Sequence, residues 1–222
     1  RAEVAKMVVI AKKQTGLKVT THNFKDVSSK DWFANYVYQA VQLGYMDGFG
    51  GSKTEFKPYE KVTRQEMTKI LSIAFNLNLA EYEKYDLPFE DVERNFYYKY
   101  IAAAYYNGLG AGVSDTKFDP HSNVTRATFS VFMSRGLNKS FQLALPVVKE
   151  KVSASAEVKG QVKVNTNNLD VRSTPNFTST ANNKLGTLST GTVVNYYDET
   201  ASYYKINYNG YYGYIYKTYA SI

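Results

Sequence analysis

The sequence predicts an α+β protein with two parts, a set of helical repeats followed by a small all-β barrel. Two stretches of chain carry the same landmarks in the same order, and their apolar residues recur at helical spacing. Farther along, the pattern changes to short alternating runs separated by turn signals, which is typical of strands. The predicted domains are half of a first repeat at 1–18, a second repeat at 19–80, a third repeat at 81–146, a linker at 147–159 and a barrel at 160–222.

The repeat is defined by five short landmarks. The offset between the two copies is 65 residues from Phe24 to Phe89 and 62 residues from Arg64 to Arg126. In order, the first set is Phe24-x-Asp26-Val27, Trp32, Gly44-x-x-x-Gly48, Phe56-x-Pro58 and Val62-Thr63-Arg64, and the second is Phe89-x-Asp91-Val92, Tyr97, Gly108-x-x-x-Gly112, Phe118-x-Pro120 and Val124-Thr125-Arg126.

The first residues correspond to the second half of a further copy, because Arg1-Ala2-Glu3-Val4-Ala5-Lys6-Met7 aligns with Arg64-Gln65-Glu66-Met67-Thr68-Lys69-Ile70. We therefore expect that the chain opens partway through a repeat. The missing half would cover apolar surface on the other repeats, so we expect either a retained noncovalent fragment or a second copy of the chain to fill the gap.

Each repeat is predicted to be two helices joined by a loop. The first helix of the second repeat is predicted from Asp31 to Leu43, with Gly44 as its C-terminal cap. The second helix is predicted to start at Thr63, because Glu66 three residues later completes a capping box. In the third repeat Thr128 takes the place of that glutamate. Helix pairs this short cannot cover their own apolar faces, so the copies should pack on one another.

The final part is predicted to be a small closed barrel of five or six strands. Asn209-Gly210 lies between two tyrosine-rich runs and indicates a type I′ hairpin. The predicted strands contain Val162 and Val164, Leu169 to Arg172, Lys184 to Leu188, Thr192 to Tyr197, Tyr203 to Tyr208 and Tyr211 to Tyr216.

Composition excludes several classes of protein. The chain has no cysteine, so disulfides, thiol nucleophiles and thiolate metal sites are absent. His22 and His121 lie far apart, and we expect neither a metal nor a cofactor. No apolar run is long enough to cross a membrane. The net charge of +7 favours anionic polymers, and the 21 tyrosines suit carbohydrate or nucleobases.

The repeats resemble the surface-layer homology (SLH) domain of bacterial cell-surface proteins, on the landmarks given above. The resemblance implies a pseudo-threefold assembly that binds secondary cell-wall polysaccharide, often carrying ketal-linked pyruvate, in grooves between repeats. It implies a secreted protein at the bacterial cell wall or S-layer. By position, the implied site residues are the arginines Arg1, Arg64 and Arg126, with Trp32 and Asp26 in one groove and Tyr97 and Asp91 in the next. Tyr97 and Thr128 depart from the usual Trp and Glu.

The last 60 or so residues resemble a bacterial SH3-like cell-wall-binding domain, on Leu169-Asp170-Val171-Arg172-Ser173-x-Pro175 and on Tyr204-Lys205-Ile206-Asn207-Tyr208-Asn209-Gly210. Such domains commonly bind peptidoglycan, so the resemblance implies that the barrel contacts peptidoglycan or a partner. The candidate binding strip is Tyr203, Tyr204, Tyr211 and Tyr212. Since side chains alternate along a strand, about half of the barrel tyrosines are expected in the core, and the outward half forms either a binding strip or a solvated face.

Several roles stay open from the residues alone. Arg64 and Arg126 follow helix caps and can offer a planar fork to a carboxylate, or can hold the repeats together by pairing with Glu66. Asp26 and Asp91 can bind sugar hydroxyls or cap a turn. Trp32 can stack on a sugar or fill a gap between helices.

The predicted function is a non-catalytic cell-envelope anchor, since nothing resembles a nucleophile elbow, a phosphate loop or a metal motif. The alternative is a targeting fragment of a wall hydrolase, for example an N-acetylmuramoyl-L-alanine amidase, whose catalytic domain lies outside the chain. Binding of single-stranded nucleic acid is the disfavoured third hypothesis, resting on positive charge and aromatics alone.

Overall fold

A computed structural model describes residues 1–18, 24–49, 51–179 and 181–222. The predicted start of the second repeat at residue 19 and His22 lie outside the described residues. The chain divides into two compact units, one of residues 1–83 and 88–144 and one of residues 84–87 and 145–222. Within the described part, no helix is both long and apolar enough to span a bilayer.

The first unit is helical. Its helices are α1 (Ala2–Ala11), α2 (Ala34–Gln42), α3 (Arg64–Ala74), α4 (Leu79–Tyr82), α5 (Tyr98–Tyr106) and α6 (Arg126–Leu137), with a 3₁₀ turn at Lys139–Phe141. Within the predicted boundaries, α1 falls in residues 1–18, α2 and α3 fall in 19–80, and α5 and α6 fall in 81–146. Helix α2 begins three residues later than predicted.

The helix ends follow from local chemistry. The Thr63 side chain accepts from the Glu66 backbone N–H, and the Glu66 carboxylate accepts from the Thr63 N–H, so the predicted capping box is present. Thr125 caps α6 through the Thr128 N–H alone. Gly44 takes a positive φ of 72° just after α2, as its predicted place beyond the helix end requires.

The core of this unit is shared between repeats, which is why short helix pairs are stable here. Helix α1 packs on α2, and α3 packs on both α5 and α6. Large side chains from helices α1, α3 and α6 and from the loops between helices are fully buried, among them Val8, Val9, Phe33, Phe56, Met67, Leu71, Leu109 and Phe129. Their burial supplies the main stabilisation of the helical unit.

The second unit contains one antiparallel seven-stranded sheet in the order β3-β2-β6-β5-β4-β1-β7. Its core is built from alternate residues of the strands, including Val162, Val171, Ile206 and Ile215. Asn209 and Gly210 have φ of 52° and 83°, as the predicted type I′ hairpin requires. The strands are β1 (Gly160–Val164), β2 (Leu169–Arg172), β3 (Lys184–Leu188), β4 (Val193–Glu199), β5 (Tyr203–Tyr208), β6 (Tyr211–Tyr216) and β7 (Ala220–Ser221).

The predicted linker at 147–159 belongs to this second unit. Lys151 forms an antiparallel bridge with Tyr211, and the Tyr212 N–H donates to the Glu150 carbonyl at 2.8 Å. The Asp86 N–H donates to the Lys149 carbonyl at 2.8 Å, which joins residues 84–87 to the same unit. Lack of side-chain periodicity concealed this pairing, because it is made by backbone groups.

Candidate functional site

The two aspartates of the Phe-x-Asp-Val landmarks fix a turn. Asp26 accepts from the N–H groups of Phe56 and Lys57 at 2.8 and 2.7 Å, and Asp91 accepts from those of Phe118 and Asp119 at 2.8 Å each. Lys57 and Asp119 have φ of 56° and 62°, so each carboxylate stabilises a left-handed residue before a proline. The turn-capping alternative therefore describes both aspartates.

Asp91 remains ionised in this position. Burial on its own would raise the pKa of Asp91, but hydrogen bonds from the backbone N–H groups of Phe118 and Asp119 hold that pKa below its ordinary value.

Two of the three landmark arginines lie in sockets of the same form. Arg1 Nη2 donates to the Asp47 carbonyl at 2.6 Å, and its guanidinium lies over the Phe56 ring at 4.8 Å. Arg64 Nη2 donates to the Ala111 carbonyl at 2.6 Å. The Arg64 guanidinium lies over the Phe118 ring at 4.7 Å. In each case the arginine of one repeat holds the loop of the next, through carbonyls and rings rather than through Glu66 as the sequence suggested.

Arg126 lies in a different environment. Its guanidinium donates from two nitrogens to the Glu3 carboxylate, and its side chain is 75% exposed. Arg64, by contrast, is only 8% exposed. The three implied anion-binding arginines are therefore not equivalent.

A cavity of 230 Å³ lies where Arg1 meets the second repeat, and we call it the polar groove. It brings together Arg1 from the start of α1, Asp47 from the loop after α2, Lys69 from α3 and Tyr97 from the start of α5. The remaining lining residues are Tyr45, Met46, Gly48, Phe49, Glu66 and Ile70. The structure thus joins two predicted site residues, Arg1 and Tyr97, with charged residues that the sequence reasoning missed.

The polar groove carries both signs of charge. The described hydrogen bonds of the Arg1 guanidinium go to the carbonyl oxygens of Phe56 and Asp47. These bonds leave the positive charge of Arg1 unneutralised by a carboxylate. Lys69 Nζ lies 2.7 Å from Asp47 Oδ2. Burial on its own would raise the pKa of Asp47, but hydrogen bonds from Lys69 and Lys53 keep that pKa low. Burial raises the pKa of Tyr97, and the nearby Glu66 adds to the rise.

The corresponding positions of the third repeat are uncharged. By repeat alignment Asp47, Glu66 and Lys69 correspond to Ala111, Thr128 and Val131. We call the surroundings of Arg64 in this repeat the apolar socket, since its guanidinium also lies 5.0 Å from the centre of the Phe132 ring. The difference between Lys69 and the aligned Val131 is visible in the sequence. This difference could have distinguished the polar groove from the apolar socket.

Trp32 lies in another cavity, of 460 Å³, which we call the Arg126 cleft. It is 57% exposed, and Lys6 Nζ lies 5.3 Å from the centre of its ring system. Arg126, Glu3, Met7 and Phe129 also line the cleft. Trp32 and Asp26, implied as partners in one groove, therefore line different cavities.

The predicted strip of tyrosines in the sheet is wrong for Tyr204, which is buried and packs on Tyr196 with ring centroids 5.2 Å apart. Neighbouring residues of a strand point to opposite faces, so Tyr203 and Tyr204 cannot share a strip. Tyr211 and Tyr212 are separated in the same way, and both are half-buried.

The outer face of the sheet carries a different row of aromatic rings. Phe177 lies 4.0 Å from Tyr216 and 6.4 Å from Tyr203 between ring centroids, and Tyr203 lies 5.4 Å from Tyr214. Tyr216 pairs with Tyr203 across the strands, as Tyr214 does with Lys205. Burial raises the pKa of Tyr214 to about 12, so this hydroxyl is neutral over the physiological range. Sequence reasoning missed Phe177 because it lies outside the strands.

Comparison with known proteins agrees with both parts of the chain. The S-layer homology domain matches residues 23–68 and 88–130, and the bacterial SH3 domain matches residues 167–221. An endoglucanase of Bacillus sp. (strain KSM-635) is 29% identical over 61% of this chain and 14% of its own length. The surface-layer 125 kDa protein of Lysinibacillus sphaericus is 32% identical over 51% of this chain and 10% of its own length.

A third relative likewise matches this chain over only a small part of its own length. The amylopullulanase of Thermoanaerobacterium thermosulfurigenes is 30% identical over 63% of this chain and 8% of its own length. The chain therefore spans about a seventh or less of these three relatives.

Proposed function

We propose that this chain, which carries S-layer homology repeats followed by a bacterial SH3 domain, is a non-catalytic anchor that holds an acidic secondary cell-wall polysaccharide in the polar groove. The repeats and the surface-layer relative place it at the bacterial cell surface, with a role in cell-wall anchoring. The single observation that carries the proposed ligand is the meeting of Arg1, Lys69 and Tyr97 in one cavity.

The groove suits a sugar that bears a carboxylate, such as a pyruvate ketal. Arg1 and Lys69 supply positive charge for the carboxylate, and each charge-assisted hydrogen bond contributes about 1.5–3 kcal/mol. Asp47 and Glu66 accept hydrogen bonds from sugar hydroxyls. Tyr97 offers an apolar ring face and a hydroxyl, a combination that suits carbohydrate.

The repeats are proposed to form a pseudo-threefold arrangement. This is supported by the two sockets, in which Arg1 reaches the loop of the second repeat and Arg64 reaches the loop of the third. Repetition of one contact from copy to copy generates a rotational array. Arg126 occupies the third position of that array.

The SH3 domain is proposed to contact peptidoglycan through the outer aromatic row. Phe177, Tyr203 and Tyr216 are the members that support this, because their rings lie together on the outer face. Tyr203→Ala should weaken binding to stripped wall without a loss of stability. Tyr204→Ala should lower the unfolding temperature instead, since Tyr204 lies in the core.

Co-sedimentation with Gram-positive sacculi, before and after acid stripping of the secondary polymer, tests the proposal. We expect most of the binding to be lost on stripping, which leaves only the weaker contact of the SH3 domain, and the same large loss on intact sacculi when Arg1→Met and Lys69→Met are combined. The exposed Lys30 provides the matched control, Lys30→Met, which should bind as the unchanged protein does. Full binding to stripped sacculi would contradict the polysaccharide assignment and move the function to the SH3 domain.

The second candidate function is the targeting region of a wall hydrolase or other secreted enzyme. The match to parts of much longer proteins named endoglucanase and amylopullulanase favours it. Both candidates share the polar groove and differ in what the remainder of the protein does. The chain alone should release neither reducing sugar nor free amino groups from wall material, and any release above a heat-treated control would contradict the non-catalytic proposal.

A further inference from the structure

An exposed aromatic ring stands at the rim of the polar groove. Phe96 is 58% exposed and directly precedes Tyr97, which lines the groove. The ring centroids of Phe96 and Tyr97 lie 5.1 Å apart in an edge-on arrangement. Lys69 also lines the groove, and its Nζ lies 5.5 Å from the centre of the Phe96 ring. Phe96 therefore continues the surface of the polar groove outward.

The Phe96 ring is restrained by its neighbours although it is exposed. It packs against Tyr100, which is buried, with ring centroids 5.6 Å apart. Lys99 Nζ lies 5.9 Å from the centre of the Phe96 ring and 5.5 Å from that of Tyr100. A side chain that is already restrained loses little freedom when a ligand covers it, so the ring is prepared for contact.

The scaffold itself does not need an aromatic residue at this position. In the alignment of the two landmark sets, Phe96 corresponds to Asp31. Asp31 accepts from the Ser28 N–H at 2.8 Å and so closes the turn ahead of α2. Ahead of α5, Asn95 accepts from the Tyr97 N–H at 2.9 Å. The polar bond of this turn is thus made by Asn95, and the next position is free to carry an exposed ring.

We propose that Phe96 is a stacking platform for a neutral sugar, the one next to the acidic sugar of the polar groove on the same polysaccharide chain. This inference rests on the proposed function and extends the site from one sugar to two. An exposed ring takes the C–H face of a pyranose because both apolar surfaces then leave water. The face of an aromatic ring is electronegative, so it favours a neutral sugar over a second acidic one. Lys99 supplies a donor beside the same ring for a sugar hydroxyl oxygen.

The two subsites contribute affinity of different physical kinds. Arg1 and Lys69 of the polar groove act through charge, and salt screens that attraction. Phe96 acts through apolar contact, which salt does not weaken. An acidic monosaccharide meets the polar groove alone, whereas a disaccharide with a neutral second sugar meets both subsites. Ligand length and salt together therefore separate the platform from the groove.

The test measures two ligands by NMR titration, the methyl glycoside of a pyruvate-ketal sugar and the disaccharide that joins it to a neutral N-acetylhexosamine. Phe96→Ser should lower the affinity for the disaccharide by about 10-fold and leave that for the monosaccharide unchanged. The loss should persist in about 1 M sodium chloride, where screening is strongest. The matched control is Phe141→Ser, because Phe141 is 60% exposed and lies in the 3₁₀ turn after α6. It should bind both ligands as the unchanged protein does.

A second variant reports the platform directly. Phe96→Trp combined with Trp32→Phe places the one tryptophan of the chain on the platform, and its emission should shift to the blue with the disaccharide and not with the monosaccharide.

Three results would overturn the inference and leave the polar groove standing. They are an unchanged affinity of Phe96→Ser for the disaccharide, an equal loss for both ligands, and a loss that disappears in salt. Binding of neither ligand by the unchanged protein would instead contradict the proposed function, and the inference with it.

Discussion

The polar groove and the apolar socket are built by the same main-chain design and differ in the side chains added to it. In both, an aspartate caps a Phe-x-Pro turn and an arginine of the preceding copy donates to a loop carbonyl at 2.6 Å. Only the polar groove adds Asp47 and Lys69, where the third repeat has Ala111 and Val131.

The difference teaches that a landmark residue holds the scaffold and does not by itself make a binding site. Asp26, Asp91 and Arg64 recur because they hold loop geometry, and Asp26 and Asp91 do so with both carboxylate oxygens already bonded. The charges that we propose for ligand binding, Asp47 and Lys69, lie instead at positions that differ between copies. The two regions should therefore respond alike to scaffold changes and differently to changes in charge.

The largest expected effect is on stability and should be equal in the two regions. Phe56 and Phe118 are both fully buried in their turns. Phe56→Ala and Phe118→Ala should each lower the free energy of unfolding by about 3–5 kcal/mol, because each leaves a cavity and removes the ring under an arginine. Urea titration followed by circular dichroism measures both losses of unfolding free energy. If the smaller loss were less than about half of the larger one, the two turns would not share one scaffold.

Much of this scaffold could be predicted from the sequence, because its signals are local. The Thr63–Glu66 capping box, Gly44 after α2 and the Asn209-Gly210 hairpin each depend on residues a few positions apart. The polar groove could not be predicted in the same way. Arg1, Asp47 and Tyr97 come from three separate stretches of the chain, and only packing brings them together.

The alternation of side chains along strands limited the sequence-based prediction of the binding strip in a second way. The sequence predicts that half of the barrel tyrosines face inward, and the structure assigns Tyr204 to that half. The strand period does not say which half until the register is known. Phe177 completes the outer row from a loop, where no periodic signal exists.

The next-largest effect distinguishes the stability contributions of Arg64 and Arg126, which occupy the same position of the Val-Thr-Arg landmark. Arg64→Met should lower the free energy of unfolding of the repeats by about 2–3 kcal/mol, since it removes a buried charge-assisted bond to Ala111. Arg126→Met should leave thermal stability unchanged, because its pair with Glu3 is exposed to solvent. Differential scanning calorimetry of the two variants decides this, and equal destabilisation would contradict the distinction.

A smaller effect concerns the turn carboxylates and depends on pH. Asp91→Asn should cost about 1 kcal/mol near neutral pH, because the amide accepts its two backbone hydrogen bonds less well than a carboxylate. The folded pKa of Asp91 is lowered, so its contribution is fully present above the unfolded pKa of about 4 and is lost as pH falls through the folded pKa. The gap between the two proteins should close in acid, as urea titrations at several pH values would show. A gap that widened in acid would contradict this reading.

The most direct test of the central claim converts the polar groove into the apolar socket. The triple variant Asp47→Ala, Glu66→Thr and Lys69→Val copies the third repeat, which folds with these residues. Calorimetric titration with purified secondary wall polysaccharide should show the affinity of the triple variant reduced by about 10- to 100-fold or more, the value of one or two charge-assisted contacts. Affinity equal to that of the unchanged protein, with both proteins folded, would contradict the assignment of ligand binding to this groove.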